Sequence, residues 1–259
     1  MEVIRSRQNL QIKSCAKLIE SRRERLKTGR AVLDGIHLIE AALDAGMQIE
    51  RVLVAESASI KPEIAILMTR CDGVSIIDDA LFRELSDLDS MTGVLAILAV
   101  PKMRTCVRQG WVLALDTVQD PGNVGSLMRT AVAAGVDQIW LGEGCADIWS
   151  PKVLRAGMGA HFSVDMVERV DLPTQLKAFG GDIAITGLDG SRSLYESNLT
   201  ADLVLVLGNE GQGVSMAVRE CADVVLKIPM APGIESLNVG AAGAICMYER
   251  VRQHAHTIG

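Results

Sequence analysis

Three stretches decide the fold: Trp111-Val-Leu-Ala-Leu-Asp116, Asp120-Pro-Gly-Asn-Val-Gly-Ser-Leu-Met-Arg-Thr-Ala131 and Gln138-Ile-Trp-Leu141. The first is an unbroken apolar run of strand length, as expected of a strand buried on both faces of a parallel sheet. A loop over Gln119–Asn123 follows, then a helix over Val124–Ala134 that Gly135 closes as the residue just past its end. A second buried strand begins at Gln138. Strand, helix and strand in this order make a right-handed crossover between parallel strands. The pattern continues outward, with strands predicted at Ile183–Thr186, Leu203–Leu207 and Val224–Ile228. Helices are predicted at Pro151–Ala156, Thr174–Phe179, Ser215–Cys221 and Leu237–Arg252. Ligands of such sheets gather at the carboxyl ends of the strands.

The residues ahead of Trp111 read as a smaller α/β/α layer structure. Short apolar runs at Ala31–Leu33, Arg51–Ala55, Val74–Ile77 and Val94–Val100 alternate with helices at Leu38–Ala45, Pro62–Thr69 and Asp79–Leu85. One helix over 8–27 precedes them, with Leu10, Cys15, Leu18 and Ile19 apolar and Gly29 as its stop. Pro101-Lys-Met-Arg-Thr105 is polar and led by proline, so it reads as a linker. Two domains are expected, 1–105 and 106–259.

Hydrophobic residues make up 49% of the 259 and aromatics only 3%, so the cores must be filled by aliphatic side chains. No apolar run approaches the roughly 20 residues that span a bilayer. Charges recur through the first thirty residues, which is unlike a secretory signal, and a cytoplasmic protein is expected. The six cysteines (15, 71, 106, 145, 221 and 246) are scattered, and His37, His161, His254 and His256 have no metal-ligand spacing. Neither a metal site nor a disulfide framework is expected. Net charge is −6, yet residues 1–30 hold nine Lys/Arg against three Glu, which leaves −12 on the rest. A basic end on an acidic body suits phosphate attraction by that end, with Arg22, Arg23 and Arg25 as candidates. A solvated helix face is the competing reading.

Three loops at strand ends carry unusual chemistry. In the first, Asn123 stands where a helix cap is expected. Arg129 lies six residues on, among Leu127, Met128 and Ala131, where a guanidinium usually has an anionic partner. The second, Leu207-Gly-Asn-Glu-Gly-Gln-Gly213, lets a backbone approach a ligand closely. It is neither a dinucleotide fingerprint nor a phosphate loop, and Glu210 would repel a pyrophosphate. The third, Ile228-Pro-Met-Ala-Pro-Gly-Ile-Glu-Ser-Leu-Asn-Val239, is stiffened by two prolines and ends at Ser236 and Asn238, where the last helix begins. The small residues Gly240–Ala244 then suit either helix–sheet packing or a tighter subunit or knot contact.

In their order and spacing, D-P-G-N-x-G-x-x-x-R-T-A, L-G-N-E-G-x-G and I-P-M…S-L-N-V resemble the SpoU/TrmH class of SPOUT RNA methyltransferases. Asp34-Gly-Ile-His-Leu-Ile-Glu-Ala and Val94-Leu-Ala are similar to the RNA-binding domain often found ahead of that catalytic unit. The resemblance implies a parallel-sheet domain with a C-terminal trefoil knot, and a homodimer whose subunits complete each other's sites. It also implies transfer of a methyl group from S-adenosylmethionine to a ribose 2′-hydroxyl of RNA, and the separate N-terminal domain favours ribosomal over transfer RNA. Carried over to this chain, Asn123, Arg129, Glu210, Ser236 and Asn238 are the catalytic set. Gly208, Ile228, Met230 and Leu237 hold the cofactor. Gly240 departs from the Ala or Ser common in the family. A guanidinium stays protonated, so Arg129 is expected to clamp a phosphate and stabilise the developing alkoxide. A catalytically silent RNA-binding protein and a base-methylating SPOUT enzyme are the alternatives.

Overall fold

Along the N-terminal part of the chain lie strand β1 (Val3–Ile4), helices α1 (Leu10–Glu20) and α2 (Arg22–Thr28), strand β2 (Arg30–Asp34) and helix α3 (Ile36–Asp44). Strand β3 (Ile49–Ala55), helix α4 (Pro62–Thr69), strand β4 (Val74–Ile77), helix α5 (Asp79–Leu85) and strand β5 (Val94–Ala99) follow. The five strands pair in the order β1-β4-β3-β5-β2. β1 and β3 run parallel to β4, while β5 is antiparallel to both β3 and β2. The structure is a computed structural model that describes residues 2–86, 92–102, 104–187, 192–234 and 236–257.

The single helix expected over 8–27 is two helices. Ser21 takes an extended backbone, and its hydroxyl accepts the Glu24 amide proton at 3.3 Å, which starts α2 as a capped helix. Gly29, at φ 63°, ends it. Ile12, Cys15 and Leu18 face the core, whereas Leu10 is 82% exposed.

Beyond residue 110 the chain forms β6 (Trp111–Leu115), α6 (Pro121–Ala134), β7 (Gln138–Gly142), α7 (Pro151–Gly157), β8 (Asp165–Val170), α8 (Leu172–Lys177) and β9 (Asp182–Thr186). Then come β10 (Arg192–Ser193), β11 (Leu203–Leu207), α9 (Met216–Arg219), β12 (Val224–Lys227) and α10 (Val239–Thr257). Seven strands pair in the order β10-β12-β9-β11-β6-β7-β8, every pair parallel. β6, β7 and β11 are buried along their whole length, as their apolar runs require. β1, β8 and β10, which the sequence reading did not place, stand at sheet edges. Edge strands need no apolar run, and Asp165-Met-Val-Glu-Arg-Val170 is mostly half-exposed. Chain order reverses between the neighbours β6 and β11, the kind of crevice in which α/β sheets bind ligands.

α10 lies against α6. An added Cβ on Gly243 would overlap Leu127 and Leu207 of the same unit, so this glycine serves the packing of α10 on α6 and β11. Farther along α10, Gln253 donates to the Ser197 carbonyl at 2.9 Å and accepts from the Leu199 amide at 2.8 Å. Among the described residues, no helix is long and apolar enough to cross a membrane.

The cut expected at residue 105 is too simple. Two units divide the chain, Met1–Lys102 with Asp147–Phe162, and Met103–Ala146 with Ser163–Gly259. The inserted piece holds α7 and supplies buried partners to the first unit. Arg25 donates from Nε and Nη2 to Asp147 Oδ2 at 2.9 and 2.6 Å, and from Nη1 to the Leu18 and Ile19 carbonyls. Arg155 stands 3.9 Å from Asp34, whose carboxylate accepts from Ser86 and Thr92. His161 is buried, with Nε2 2.7 Å from the Ile148 carbonyl. Burial pushes its pKa down to about 4, so the ring is neutral at physiological pH and donates from Nε2 to that carbonyl.

Because Arg25 and Asp147 are each about one-tenth exposed, removing one leaves the other charge buried and alone. Asp147→Ala should lower the unfolding free energy of the first unit by about 3–5 kcal/mol in urea titration. Replacing both residues by Leu should recover part of that loss. A change below about 1 kcal/mol in the single variant would show that water enters and solvates Arg25.

Candidate active site

The N-cap of α6 is Asp120, not Asn123. Asp120 Oδ1 accepts the Asn123 amide proton at 2.7 Å, and Pro121 takes the first helical position, where its missing N–H costs nothing. Asp-Pro was the readable signal for this cap. With its backbone amide capped, the Asn123 carboxamide is left to point elsewhere. Its Nδ2 donates to Glu210 Oε1 at 2.8 Å, and its Oδ1 accepts from Asn238 Nδ2 at 2.9 Å. Asn238 Oδ1 in turn caps α10, accepting from the amides of Gly240 at 2.8 Å and Ala241 at 3.2 Å. An amide has one donating and one accepting end, so the chain from α10 through Asn238 and Asn123 to Glu210 has a fixed direction. Three of the five expected catalytic residues are therefore bonded to one another across three loops. Gly240 packs against this chain, since an added Cβ would lie 3.0 Å from both Asn238 Oδ1 and Ser126 Oγ.

The glycine-rich loop after β11 closes on itself. Asn209 and Gly213 exchange backbone hydrogen bonds of 2.9 and 2.8 Å. Any Cβ on Gly208 would overlap the backbone of Gly213 and Val214, so only glycine fits there. Beside this loop opens a cleft of about 580 Å³, within the range of small-molecule sites. It lies at the carboxyl ends of the neighbouring strands β9, β11 and β12 and beside the first turn of α10. Gly208, Ile228, Met230 and Leu237, the four expected cofactor residues, all line it, as do Glu210 and Ser236. Thr186 and Lys227, at strand ends without a motif of their own, line it too, as does Asn209 of the glycine-rich loop. Apolar walls, exposed loop backbone and one carboxylate suit a ligand that is part hydrophobic and part cationic.

Arg129 departs from expectation. The apolar stripe of α6 that faces inward is Val124, Leu127, Met128 and Ala131, and Arg129 projects from the opposite, exposed face. Among the described residues it has no ion pair or hydrogen bond, so its fork of donors is free. It does not line the cleft. Sequence neighbours on a helix do not share a face, and the apolar residues flanking Arg129 said nothing about its own surroundings.

In the first unit, Arg22 and Arg23 are exposed, as RNA contacts require. Arg25 is not available: it is 6% exposed and committed to Asp147 and two helix carbonyls. The expectation that it binds RNA is withdrawn. Lys13, Lys17 and Lys27 are the further exposed cations of α1 and α2.

Residues 110–248 match the SpoU rRNA Methylase family, and residues 9–96 match the MRM3-like substrate binding domain. The chain is 35% identical over 251 residues to the 23S rRNA (guanosine(2553)-2′-O)-methyltransferase RlmP of Bacillus subtilis, covering 96% of this chain and 98% of that one. It is 30% identical over 237 residues to the 23S rRNA (guanosine-2′-O-)-methyltransferase RlmB of Escherichia coli K12, covering 85% and 98%. Among solved structures, it superposes on the SpoU methyltransferase AviRb of Streptomyces viridochromogenes, in complex with AdoMet, with a TM-score of 0.86 and 26% identity over 96% of this chain and 99% of that one. Because this match spans more than half the sequence, the chain belongs to the SpoU rRNA methylase family.

Proposed function

We propose that the protein transfers the methyl group of S-adenosylmethionine to a ribose 2′-hydroxyl of ribosomal RNA. The observation that carries this reading is the cleft beside the Asn238–Asn123–Glu210 chain, where Gly208 admits no side chain. The residues present fit the cofactor: apolar Ile228, Met230 and Leu237 for its neutral parts, and a carboxylate at Glu210 for its positive charge. When bound, the sulfonium supplies an electrophilic methyl group, and in-line displacement then depends on placing the ribose oxygen correctly. Asn123, Ser236 and Asn238 orient the reacting groups. Arg129, exposed and unpaired among the described residues and outside the cleft of its own chain, serves the site completed by the second subunit, where it clamps an RNA phosphate and stabilises the alkoxide as it develops. It keeps its own proton, so the hydroxyl proton leaves to phosphate or solvent.

The same reading includes a homodimer in the cytoplasm, with a C-terminal trefoil knot and with the second subunit completing each site. Gly122, Ser126 and Ala133 form a small-residue exposed face around Arg129, open to such a partner. The first unit binds RNA through Arg22 and Arg23, joined by Lys13, Lys17 and Lys27. The RlmP and RlmB relatives both carry 23S rRNA in their names, which supports ribosomal over transfer RNA.

The decisive experiment incubates the purified protein with radiolabelled S-adenosylmethionine and ribosomal RNA from cells lacking the gene. A 2′-O-methylnucleoside is expected after nuclease digestion, and a base-methylated product would overturn the reading. Cofactor binding without transfer to any RNA would favour a silent RNA-binding protein. Arg129→Ala should keep its fold and cofactor affinity and lose about 10²-fold or more in turnover, with Lys failing to rescue it. Unchanged turnover in that variant removes Arg129 from the mechanism. Replacing Arg22 and Arg23 by Ala should weaken RNA binding and flatten its salt dependence by about 0.7–0.9 per lost phosphate contact. An unaltered salt slope would mean that α2 is only a solvated face.

A further inference from the structure

Thr117, directly after β6 and its neighbour Asp116, has a backbone φ of 57°. For a β-branched residue this is a real conformational outlier, and such strain persists only where the surroundings impose it. Two contacts account for it. The Thr117 hydroxyl donates to the Asp116 carbonyl at 2.7 Å, and the Thr117 carbonyl accepts from Asn209 Nδ2 at 3.1 Å. The other end of the Asn209 carboxamide is spent inside the glycine-rich loop, where Oδ1 accepts from the amides of Gly211 at 2.9 Å and Gln212 at 3.2 Å. Asp116 holds the far end of the same loop, its Oδ2 accepting the Ser215 amide proton at 2.6 Å. The internal hydrogen bonds of the loop give it a shape. Among the described residues, three bonds tie it to the turn after β6: Asn209 to the Thr117 carbonyl, Ser215 to the Asp116 carboxylate, and the Asp116 amide to the Leu207 carbonyl at 2.8 Å.

The geometry points to Thr117 as a positioning residue that, through Asn209, sets the glycine-rich loop for the cofactor. This rests on the cofactor reading above and adds a control that lies outside the expected catalytic and cofactor residues. The left-handed turn at Thr117 aims its carbonyl at the Asn209 amide. A residue at ordinary negative φ would swing that carbonyl away. The loop so held lines the cleft with Gly208 and Glu210. Three residues after Thr117, the chain reaches Asp120 and caps α6 for Asn123. One short turn therefore sets both the floor of the cleft and the start of the hydrogen-bonded chain at its rim.

The test uses the full-length protein, with S-adenosylhomocysteine as the probe in calorimetric titration and amide hydrogen exchange measured without ligand. Asn209→Asp keeps the acceptor for Gly211 and Gln212 but turns the Thr117 contact into two opposed oxygens. It should weaken S-adenosylhomocysteine binding by about tenfold or more, the effect of losing one hydrogen bond, with little change in thermal midpoint. Exchange of the 209–215 amides should quicken in the same variant. Thr117→Gly, which adopts positive φ without strain, should bind within about twofold of the parent. Thr117→Pro, with φ held near −65°, should lose binding as Asn209→Asp does. Parental affinity and parental exchange in Asn209→Asp would overturn the proposal, as would a Thr117→Gly variant as weak as Asn209→Asp. Failure of the parent protein to bind S-adenosylhomocysteine would instead sink the cofactor reading, and the exchange measurement would still report on the clamp.

Discussion

Asp120 accepts the amide proton of Asn123, and that single cap releases the Asn123 side chain from the helix terminus where such residues usually spend it. The released carboxamide joins α6 to the glycine-rich loop through Glu210 and to α10 through Asn238. Asn238 is itself a cap, so two helix starts and one loop are tied through two amide side chains. Each of these groups would otherwise face water in its own direction. Bonded in sequence they hold one arrangement, the preorganisation that a methyl transfer governed by positioning needs.

Charge in this protein is sorted by burial. The basic N-terminal segment contributes both exposed cations and one interior guanidinium, Arg25, whose charge is met by Asp147 and whose remaining donors are met by helix carbonyls. A buried arginine in this state is a packing element with a high cost of disruption. Arg23 and Arg22, two and three residues earlier on the same helix, remain in solvent. Arg129 shows the same sorting from the other side: an apolar sequence neighbourhood, an exposed position, and a donor fork without a partner among the described residues.

The segment Asp147–Phe162 is a further consequence of burial outranking chain order. It lies between β7 and β8 in sequence, yet its partners Arg25 and Asp34 both belong to the N-terminal stretch of the first unit. A division by linker composition places it with its sequence neighbours. Its ion pair with Arg25 and its buried His161 instead make it part of the other core.

Much of the fold was legible from period and punctuation. The apolar runs at 111–116 and 203–207, the stop at Gly135 and the helices at 62–69 and 79–85 are where local chemistry puts them, because buried parallel strands and capped helices are written in contiguous residues. The motif loops were legible for the same reason, since each is a short continuous stretch beside a strand end. Edge strands, the break at Ser21 and the partner of Arg25 were not. Their character comes from what the chain packs against, and Asp147 is more than a hundred residues away from Arg25. Sequence alone determined the family, the buried strands and the motif loops at their ends. Only the tertiary structure decided which arginine is spent in the interior, which asparagine is left free by a cap, and which strained threonine holds the loop. Each of those depends on hydrogen-bond partners brought together by folding, and local sequence pattern carries no record of them.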